Sequence, residues 1–169
     1  MHALKVLRED HDRIEGLLEG LSRNGGGAKD HLFERLEGEL SVHVIAEDNV
    51  FLPQVEDAVE DGRRTSGEFF GDDGTFGRVV ETVAAARENH REILALLGHG
   101  PDRIEELGRL VRRQVEIEES LYPEAEKVLE AEDFERIGDL VEHCKWQVRG
   151  MAQARLASSS AFRPAPEPR

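Results

Sequence analysis

The stretch REDHDRIEGLL at residues 8–18 recurs as RENHREILALL at residues 87–97. In each copy a histidine, His11 or His90, is followed by isoleucine and leucine residues at the three- and four-residue spacings of an amphipathic helix. Arginine, glutamate and histidine keep the same relative positions in both copies. The two stretches are therefore predicted to be equivalent helices of a duplicated structure.

A second helical segment with a polar pair four residues apart follows each copy. The pair is His43 and Glu47 in the first half, and Gln114 and Glu118 in the second half. Residues four apart lie on one face of a helix. The chain is thus predicted to contain two helical hairpins, each with a histidine on one arm and a [His/Gln]-x-x-x-Glu pattern on the other.

Apolar residues recur at alternating spacings of three and four along most of the chain, which predicts five helices. Residues 24–27 are expected to end the first helix, Asp30 and Asp102 to cap the second and fourth, and Pro53 to kink or terminate the second. Residues 61–75 are expected to form a loop. The apolar patterns run over residues 4–21, 33–50, 76–97, 104–128 and, for the fifth helix, about 133–157.

No strand pattern competes with these helices, and short connections favour antiparallel neighbours. The predicted fold is an all-α, antiparallel up-down-up-down four-helix bundle with an additional C-terminal helix. One domain is expected over residues 1–157, with its polar site within residues 3–130. The proline-containing segment 158–169 is expected to be a disordered tail.

Composition narrows the class of protein. The formal net charge is −14, so the chain repels phosphate backbones, and nucleic acid is not expected as a partner. No apolar run approaches the roughly 20 residues that a membrane span needs, so no membrane association is expected. The N-terminus carries no secretory signal pattern, and Cys144 is a single cysteine without a disulfide partner. A cytoplasmic location is therefore expected.

Six polar side chains occupy positions where the helical pattern calls for apolar residues. His11 lies seven residues after Leu4, and His43 lies seven residues after Leu36, so each keeps the register of its apolar face. Buried carboxylates are costly unless a cation compensates them. The pattern therefore predicts a metal site inside the bundle, with these candidate ligands: His11, His43, Glu47, His90, Gln114 and Glu118.

Three imidazoles and two carboxylates suit first-row metals, and iron is the natural choice for oxygen-linked chemistry. Di-metal sites in helical bundles often use a Glu-x-x-His pair on each of two helices. Here the residue three before His43 is Leu40, and the residue three before His90 is Arg87. The pattern therefore disfavours a ferritin-type site and favours one that is richer in histidine.

The order His, His-x-x-x-Glu, His, x-x-x-x-Glu on successive helices resembles the bacterial hemerythrin-like, HHE cation-binding family. The resemblance covers roughly residues 3–130. Two further phrases strengthen it, HVIAED at residues 43–48 leading to FLP at 51–53, and EESLYP at residues 118–123. It implies a non-heme di-iron centre whose two iron ions are joined by an oxo or hydroxo bridge.

The resemblance also implies a role for each residue. His11 and His43 would be terminal ligands of one iron, and His90 would be a terminal ligand of the other. Glu47 and Glu118 would bridge the two ions.

Gln114 stands where the family usually has its fourth histidine, so this chain resembles a variant of the family. An amide oxygen is a weaker ligand than imidazole, and Gln114 is expected to be either a weak ligand or a hydrogen-bond donor beside the site. Tyr122, Asp48 or Glu119 are further candidates to complete the second iron. Open coordination positions would let a small oxidant bind.

Three functions are compatible with the sequence. The first is enzymatic: catalase-like disproportionation of hydrogen peroxide, or other handling of O2 or NO under oxidative or nitrosative stress. The second is a binding module that senses or stores iron, oxygen or nitric oxide and conveys its state to a protein partner or within a homodimer. The third is a purely structural bundle whose polar residues bind no metal.

Overall fold

The structure is a computed structural model that describes residues 1–23, 27–65 and 74–161. No strand occurs in these residues, and none of their helices is long and apolar enough to cross a membrane. A π-helical turn, Glu47–Phe51, joins α2 to α3, and a 3-10 turn, Gly100–Arg103, precedes α5. The α-helices are α1 (Ala3–Arg23), α2 (Gly27–Ala46), α3 (Leu52–Thr65), α4 (Thr75–Leu97), α5 (Ile104–Ala125) and α6 (Ala131–Ala161).

Four helical arms form the bundle. Helix α1 packs beside α2, and α4 packs beside α5, as the two predicted hairpins require. The α2, π-helical and α3 segments follow one another without a break and together make one arm. Helix α6 packs against α1 and α2 from outside the four arms. The prediction of an all-α bundle with an additional C-terminal helix is confirmed.

The apolar interior is divided into two clusters. Along α1, the first cluster includes Leu7 and the second begins at Ile14. Along α5, the second cluster includes Val111 and the first begins at Leu121. Between the clusters every arm carries buried polar side chains, although α2 also buries Val42 and Val44 there. The candidate site therefore occupies a layer of the interior that has hydrocarbon on both sides, where water is excluded and unpaired polar groups are costly.

The π-helical turn bears on the expectation that Pro53 would kink or terminate the second helix, and it shows that termination was wrong. The second helix neither stops nor breaks there, because the chain passes through Glu47–Phe51 and continues as α3, with Pro53 as its second residue. A π turn accommodates one extra residue within continuous helix. Glu47 and Pro53 are six residues apart, whereas Glu118 and Pro123 are five apart, and α5 has no π turn. The extra residue of the first hairpin is thus contained in this turn.

Two predicted helix caps are not observed. Helix α2 begins at Gly27, so Asp30 lies within its first turn and is not its N-cap. The negative charge of Asp30 interacts favourably with the positive end of the helix dipole. Asp102 lies inside the 3-10 turn, and the residue that precedes α5 is Arg103, which makes no side-chain capping bond. Both helices therefore start at positions that differ from those that the acidic residues predicted.

The predicted loop and tail also differ in extent. Residues 61–65 belong to α3, while residues 66–73 lie outside the described part of the chain. Helix α6 begins at Ala131 and extends to Ala161, four residues beyond the predicted end at 157. Residues 24–26 and 162–169, for which a helix end and a disordered tail were predicted, lie outside the described residues.

Candidate metal centre

Three histidine rings from three helices direct their Nε2 atoms toward two buried carboxylates. His11 Nε2, from α1, lies 2.8 Å from Oε2 of Glu118. His90 Nε2, from α4, lies 3.1 Å from Oε2 of Glu47, and His43 Nε2, from α2, lies 3.5 Å from the same oxygen. Glu47 and Glu118 are completely buried. The structure thus brings five of the six predicted side chains together in the polar layer.

Most of the converging atoms have no hydrogen-bond partner. Among the described residues, every buried side-chain nitrogen or oxygen without a partner belongs to this layer or to a side chain that adjoins it. His11, His43, Glu47 and Glu118 each offer a ligand atom within 4.8 Å of the others. Two imidazole nitrogens and two carboxylates form a donor set that suits a first-row metal cation such as iron. A bound cation would satisfy these orphaned atoms, so the residues fit a metal ion.

The two carboxylates differ in how easily they ionise. Burial raises the pKa of Glu47, and the neighbouring Glu118 raises it further. Burial acts in the same direction on Glu118, but the adjacent imidazoles of His11 and His43 outweigh it and hold its pKa well below the usual range. Without a metal, Glu118 is therefore the better-compensated anion, and Glu47 carries the greater cost of buried charge.

Two further carboxylates lie behind the histidine rings. Nδ1 of His90 lies 2.9 Å from Oδ1 of Asp48 and donates a hydrogen bond to it. The other ring nitrogen, Nε2, therefore faces the site. Nδ1 of His43 lies 3.5 Å from Oδ2 of Asp10, which is too long for a good hydrogen bond but places the acid behind the ring. Asp10 is itself buried and accepts a hydrogen bond from Lys145 of α6.

These carboxylates also favour protonated imidazoles when no metal is bound. Burial alone would lower the pKa of His90, but its hydrogen bond to Asp48 and the adjacent carboxylate of Glu47 outweigh burial and raise the pKa to about 9. Burial acts in the same way on His43, and the carboxylates around it raise its pKa well above the usual value. Metal ions and protons therefore compete for these rings.

A small cavity adjoins the site on the side of the second apolar cluster. About 10 Å³ is open to the centre of a water-sized molecule, which is roughly the room that one such molecule needs. His11, His43 and Gln114 line it together with aliphatic side chains, and nearly all of its surface is apolar. A wider groove of about 920 Å³ runs along the surface between α1 and α5. Groove and cavity share three lining residues: His11, Val111 and Val115.

Comparison with protein families gives a match over residues 2–125, to the hemerythrin HHE cation binding domain. The chain belongs to the hemerythrin HHE cation-binding family. The search of curated proteins and the search of solved structures each returned no match. The family and the cluster of His11, His43, Glu47 and Glu118 together identify a hemerythrin-like metal-binding protein.

Gln114 lies beside this hemerythrin-like centre but is held differently from its counterpart His43. Its Oε1 accepts a hydrogen bond of 2.9 Å from Nδ2 of Asn89, a buried residue of α4. Its Nε2 is buried and has no partner. The group of Gln114 that remains free is therefore a donor, which is one of the two alternatives that the sequence left open.

The three further candidates to complete the second iron are buried to different extents. Tyr122 is buried, and its hydroxyl donates a 3.0 Å hydrogen bond to Oε2 of Glu118. Asp48 is about one-third exposed and contacts His90 from the side away from the other ligands. Glu119 is half-exposed and forms two hydrogen bonds with Arg8 at the surface. Tyr122 and Asp48 thus support ligands of the hemerythrin-like centre, and Glu119 faces away from it.

The sequence pattern did not single out three buried polar residues near the site: Asp10, Asn89 and Lys145. Two of them carried a signal, because Asp10 and Asn89 directly precede the repeated histidines and differ between the two copies. Lys145 lies four residues after Val141, next to the apolar face of α6. Its spacing predicts partial burial, but only the packing of α6 against α1 shows that its partner is Asp10.

Proposed function

We propose that this hemerythrin-like protein holds two iron ions, bridged by Glu47 and Glu118, and promotes catalase-like disproportionation of hydrogen peroxide. Bound iron supplies the redox capacity: one peroxide gives up two electrons and two protons to become dioxygen, and a second takes them up to become two waters. The observation that carries the proposal is the small cavity beside His11 and His43, whose size favours a small oxidant such as hydrogen peroxide over a larger substrate.

The chain's own residues support binding of such an oxidant in this cavity. Gln114 lines the cavity, and its Nε2 group is a hydrogen-bond donor without a partner, so this donor would be available to an oxygen atom of the oxidant. Ile14, Leu40 and Ile93 form hydrocarbon walls that exclude bulk water. Hydrogen bonds are stronger in such surroundings than in water.

The groove between α1 and α5 gives an approach from solvent. His11 is the least buried of the candidate ligands, with 11% of its side chain exposed, and it lines both the groove and the cavity. Small movements of Val111 or Val115, which also line both spaces, would connect them. A small neutral molecule such as hydrogen peroxide can pass such a constriction more easily than a larger substrate.

The test is oxygen release from hydrogen peroxide by purified, iron-loaded protein, measured with an oxygen electrode. We expect a rate well above that of an equal concentration of free iron, and loss of that rate in Glu118→Gln. Glu119→Gln is the matched control, because it changes the adjacent residue, which faces Arg8 at the surface. A rate equal to that of free iron would refute the enzymatic proposal.

A second candidate function is sensing of iron, oxygen or nitric oxide, in which metal occupancy would be conveyed to α6. One observation favours it: Lys145 of α6 binds Asp10, and Asp10 faces His43. Metal binding at His43 could thus change how firmly α6 is held. Equal protease resistance of α6 in metal-free and iron-loaded protein would count against this candidate.

A further inference from the structure

The internal repeat places two different residues at one structural position. Asp10 precedes His11 on α1 and faces His43 of the paired helix, while Asn89 precedes His90 on α4 and contacts Gln114 of its paired helix. An acid behind an imidazole in the first hairpin is thus replaced by two amides in the second. Both residues of the Asp10–His43 pair are replaced in the second hairpin. The second hairpin therefore contains an amide–amide hydrogen bond in addition to lacking a histidine.

The orientation of the two amides follows from a third group. Nδ2 of Asn89 donates to the backbone carbonyl of Leu110, over 2.9 Å, as well as to Oε1 of Gln114. If the Asn89 amide were rotated by 180°, its oxygen would face the Leu110 carbonyl oxygen, and two acceptors would repel each other. Asn89 therefore presents its NH2 group to Gln114, and the oxygen of Gln114 is the atom that it binds.

This orientation removes a ligand from one side of the site. An amide coordinates a cation through its oxygen, because its NH2 group has no free lone pair. On the side of His11 and His43 the chain offers two imidazoles together with Glu47 and Glu118. On the side of His90 the described residues offer one imidazole and the shared carboxylates. Gln114, the counterpart of His43 in this hairpin, has its oxygen bound by Asn89 and its NH2 group without a partner.

We infer that the two metal positions are unequal: the position at His11 and His43 binds its ion tightly, and the position at His90 binds its ion weakly. The contact between Asn89 and Gln114 is the cause, because it directs the Gln114 oxygen, the amide atom that coordinates cations, toward Asn89. The inference rests on the proposed function in that it takes two metal positions as given. It adds that the second ion is readily lost and exchanged.

The experiment is a titration of metal-free protein with ferrous iron under anaerobic conditions against a competing chelator. We expect two binding steps in the wild-type protein, with the second at least tenfold weaker, and about one retained iron per chain after desalting. Asn89→Asp combined with Gln114→His rebuilds the polar pair of the first hairpin in the second. It should tighten the second step at least tenfold and leave the first step unchanged.

The matched control introduces the amide pair of the second hairpin into the first hairpin. Asp10→Asn combined with His43→Gln should weaken the first step and leave the second unchanged. Two equally tight equivalents in the wild-type protein would overturn the inference while leaving the proposed function intact, and so would an unchanged second step in the rebuilt variant. Absence of any iron binding would refute the proposed function as well. The wild-type titration tests whether the two positions differ in affinity even if a double variant fails to fold.

Discussion

Lys145 and Asp10 form an ion pair in the interior of the protein, with 2.8 Å between Nζ and Oδ1. Both side chains are at least 97% buried, and the pair joins α6 to α1 directly behind the ring of His43. Burial acts to raise the pKa of Asp10, but His43 and Lys145 outweigh it and hold the pKa below its usual value. The carboxylate of Asp10 is therefore kept ionised by its partners.

Lys145→Met keeps an unbranched side chain but should destabilise the protein, because Asp10 stays buried and loses its buried counter-charge. Of the described residues, only Arg13, which is half-exposed, and the ring of His43 would remain beside Asp10. Breaking a buried pair in this way costs about 3 kcal/mol of unfolding free energy. Chemical denaturation followed by circular dichroism measures it. The control is Lys5→Met, at an exposed lysine of α1 beside Glu9, where a change within about 0.5 kcal/mol is expected. Equal stability of the two variants would show that the buried pair contributes little.

Glu47→Gln and Glu118→Gln should both abolish iron retention, but their effects on metal-free stability should differ. Glu118 accepts a hydrogen bond from Tyr122 and faces His11, so its replacement should cost on the order of 2 kcal/mol. Glu47 is the carboxylate whose pKa is raised, so a neutral glutamine should be tolerated or stabilising. Elemental analysis and denaturation test both effects. Full iron content in either variant would contradict the bridging role. If the protein were a purely structural bundle, the wild-type protein would also contain no iron.

The metal-free protein should lose stability as the pH rises from 6.5 to about 9. The pKa of His90 is raised from 6.5 to about 9 in the folded protein, because the carboxylates of Asp48 and Glu47 beside the ring outweigh burial. Between these values the folded state binds more protons than the unfolded state, so unfolding free energy falls with increasing pH. The raised pKa of His43 acts in the same direction.

Denaturation curves across this pH range measure the decline, and iron-loaded protein should show a smaller one, since the metal replaces the proton. His90→Gln should reduce the slope, whereas His31→Gln, at an exposed histidine, should not. Stability that increases between pH 6.5 and 9 in the metal-free protein would contradict the assignment.

Tyr122→Phe should retain iron and lose only about 1 kcal/mol of stability, the usual contribution of one hydrogen bond. Burial raises the pKa of the Tyr122 hydroxyl well above its ordinary value, and the charges of Glu118 and Glu47 raise it further. The hydroxyl therefore remains a donor to Glu118. Absorption spectra of iron-loaded protein provide the measurement: a visible phenolate-to-iron band that disappears in Tyr122→Phe would show that Tyr122 is a ligand after all.

Gly138→Ala should lower the free energy of unfolding by about 1–3 kcal/mol, the usual cost of overpacking, because it disturbs the packing of α6. A Cβ at Gly138 would collide with the backbone carbonyl of Met1 and would lie 2.9 Å from the backbone nitrogen of Ala3. Gly150 lies on the same helix with open space around it, so Gly150→Ala should instead stabilise by about 0.5–1 kcal/mol. Thermal or chemical unfolding distinguishes the two, and equal gains from both would show that the N-terminal backbone moves aside freely.

The sequence predicted the polar layer because helical periodicity alone determines which positions face inward. His11 and His43 keep the seven-residue register of Leu4 and Leu36, and all four lie in the interior. The same periodicity predicted the helical arms, and the short connections between them predicted their antiparallel pairing. Periodicity says nothing about what a side chain contacts across helices, so the contacts of Lys145 could not be derived from it.

Helix ends and rotamers depend on short-range geometry that composition does not determine. The start of α2 before Asp30 and the 3-10 turn around Asp102 depend on how the connecting segments meet the bundle. The orientation of Gln114 depends on Asn89, whose own orientation is set by the carbonyl of Leu110. That carbonyl belongs to the backbone and cannot be recognised from residue types.

The π-helical turn at Glu47–Phe51 also has a consequence for how the two halves should be aligned. An ungapped alignment that superposes Glu47 on Glu118 separates Pro53 from Pro123, and one that superposes the prolines separates the glutamates. The inserted position lies inside a hydrogen-bonded arm, so neither a loop nor an interruption of the hydrophobic pattern marks it. Deleting one residue there would rotate all of α3 by about 100° relative to the ligands.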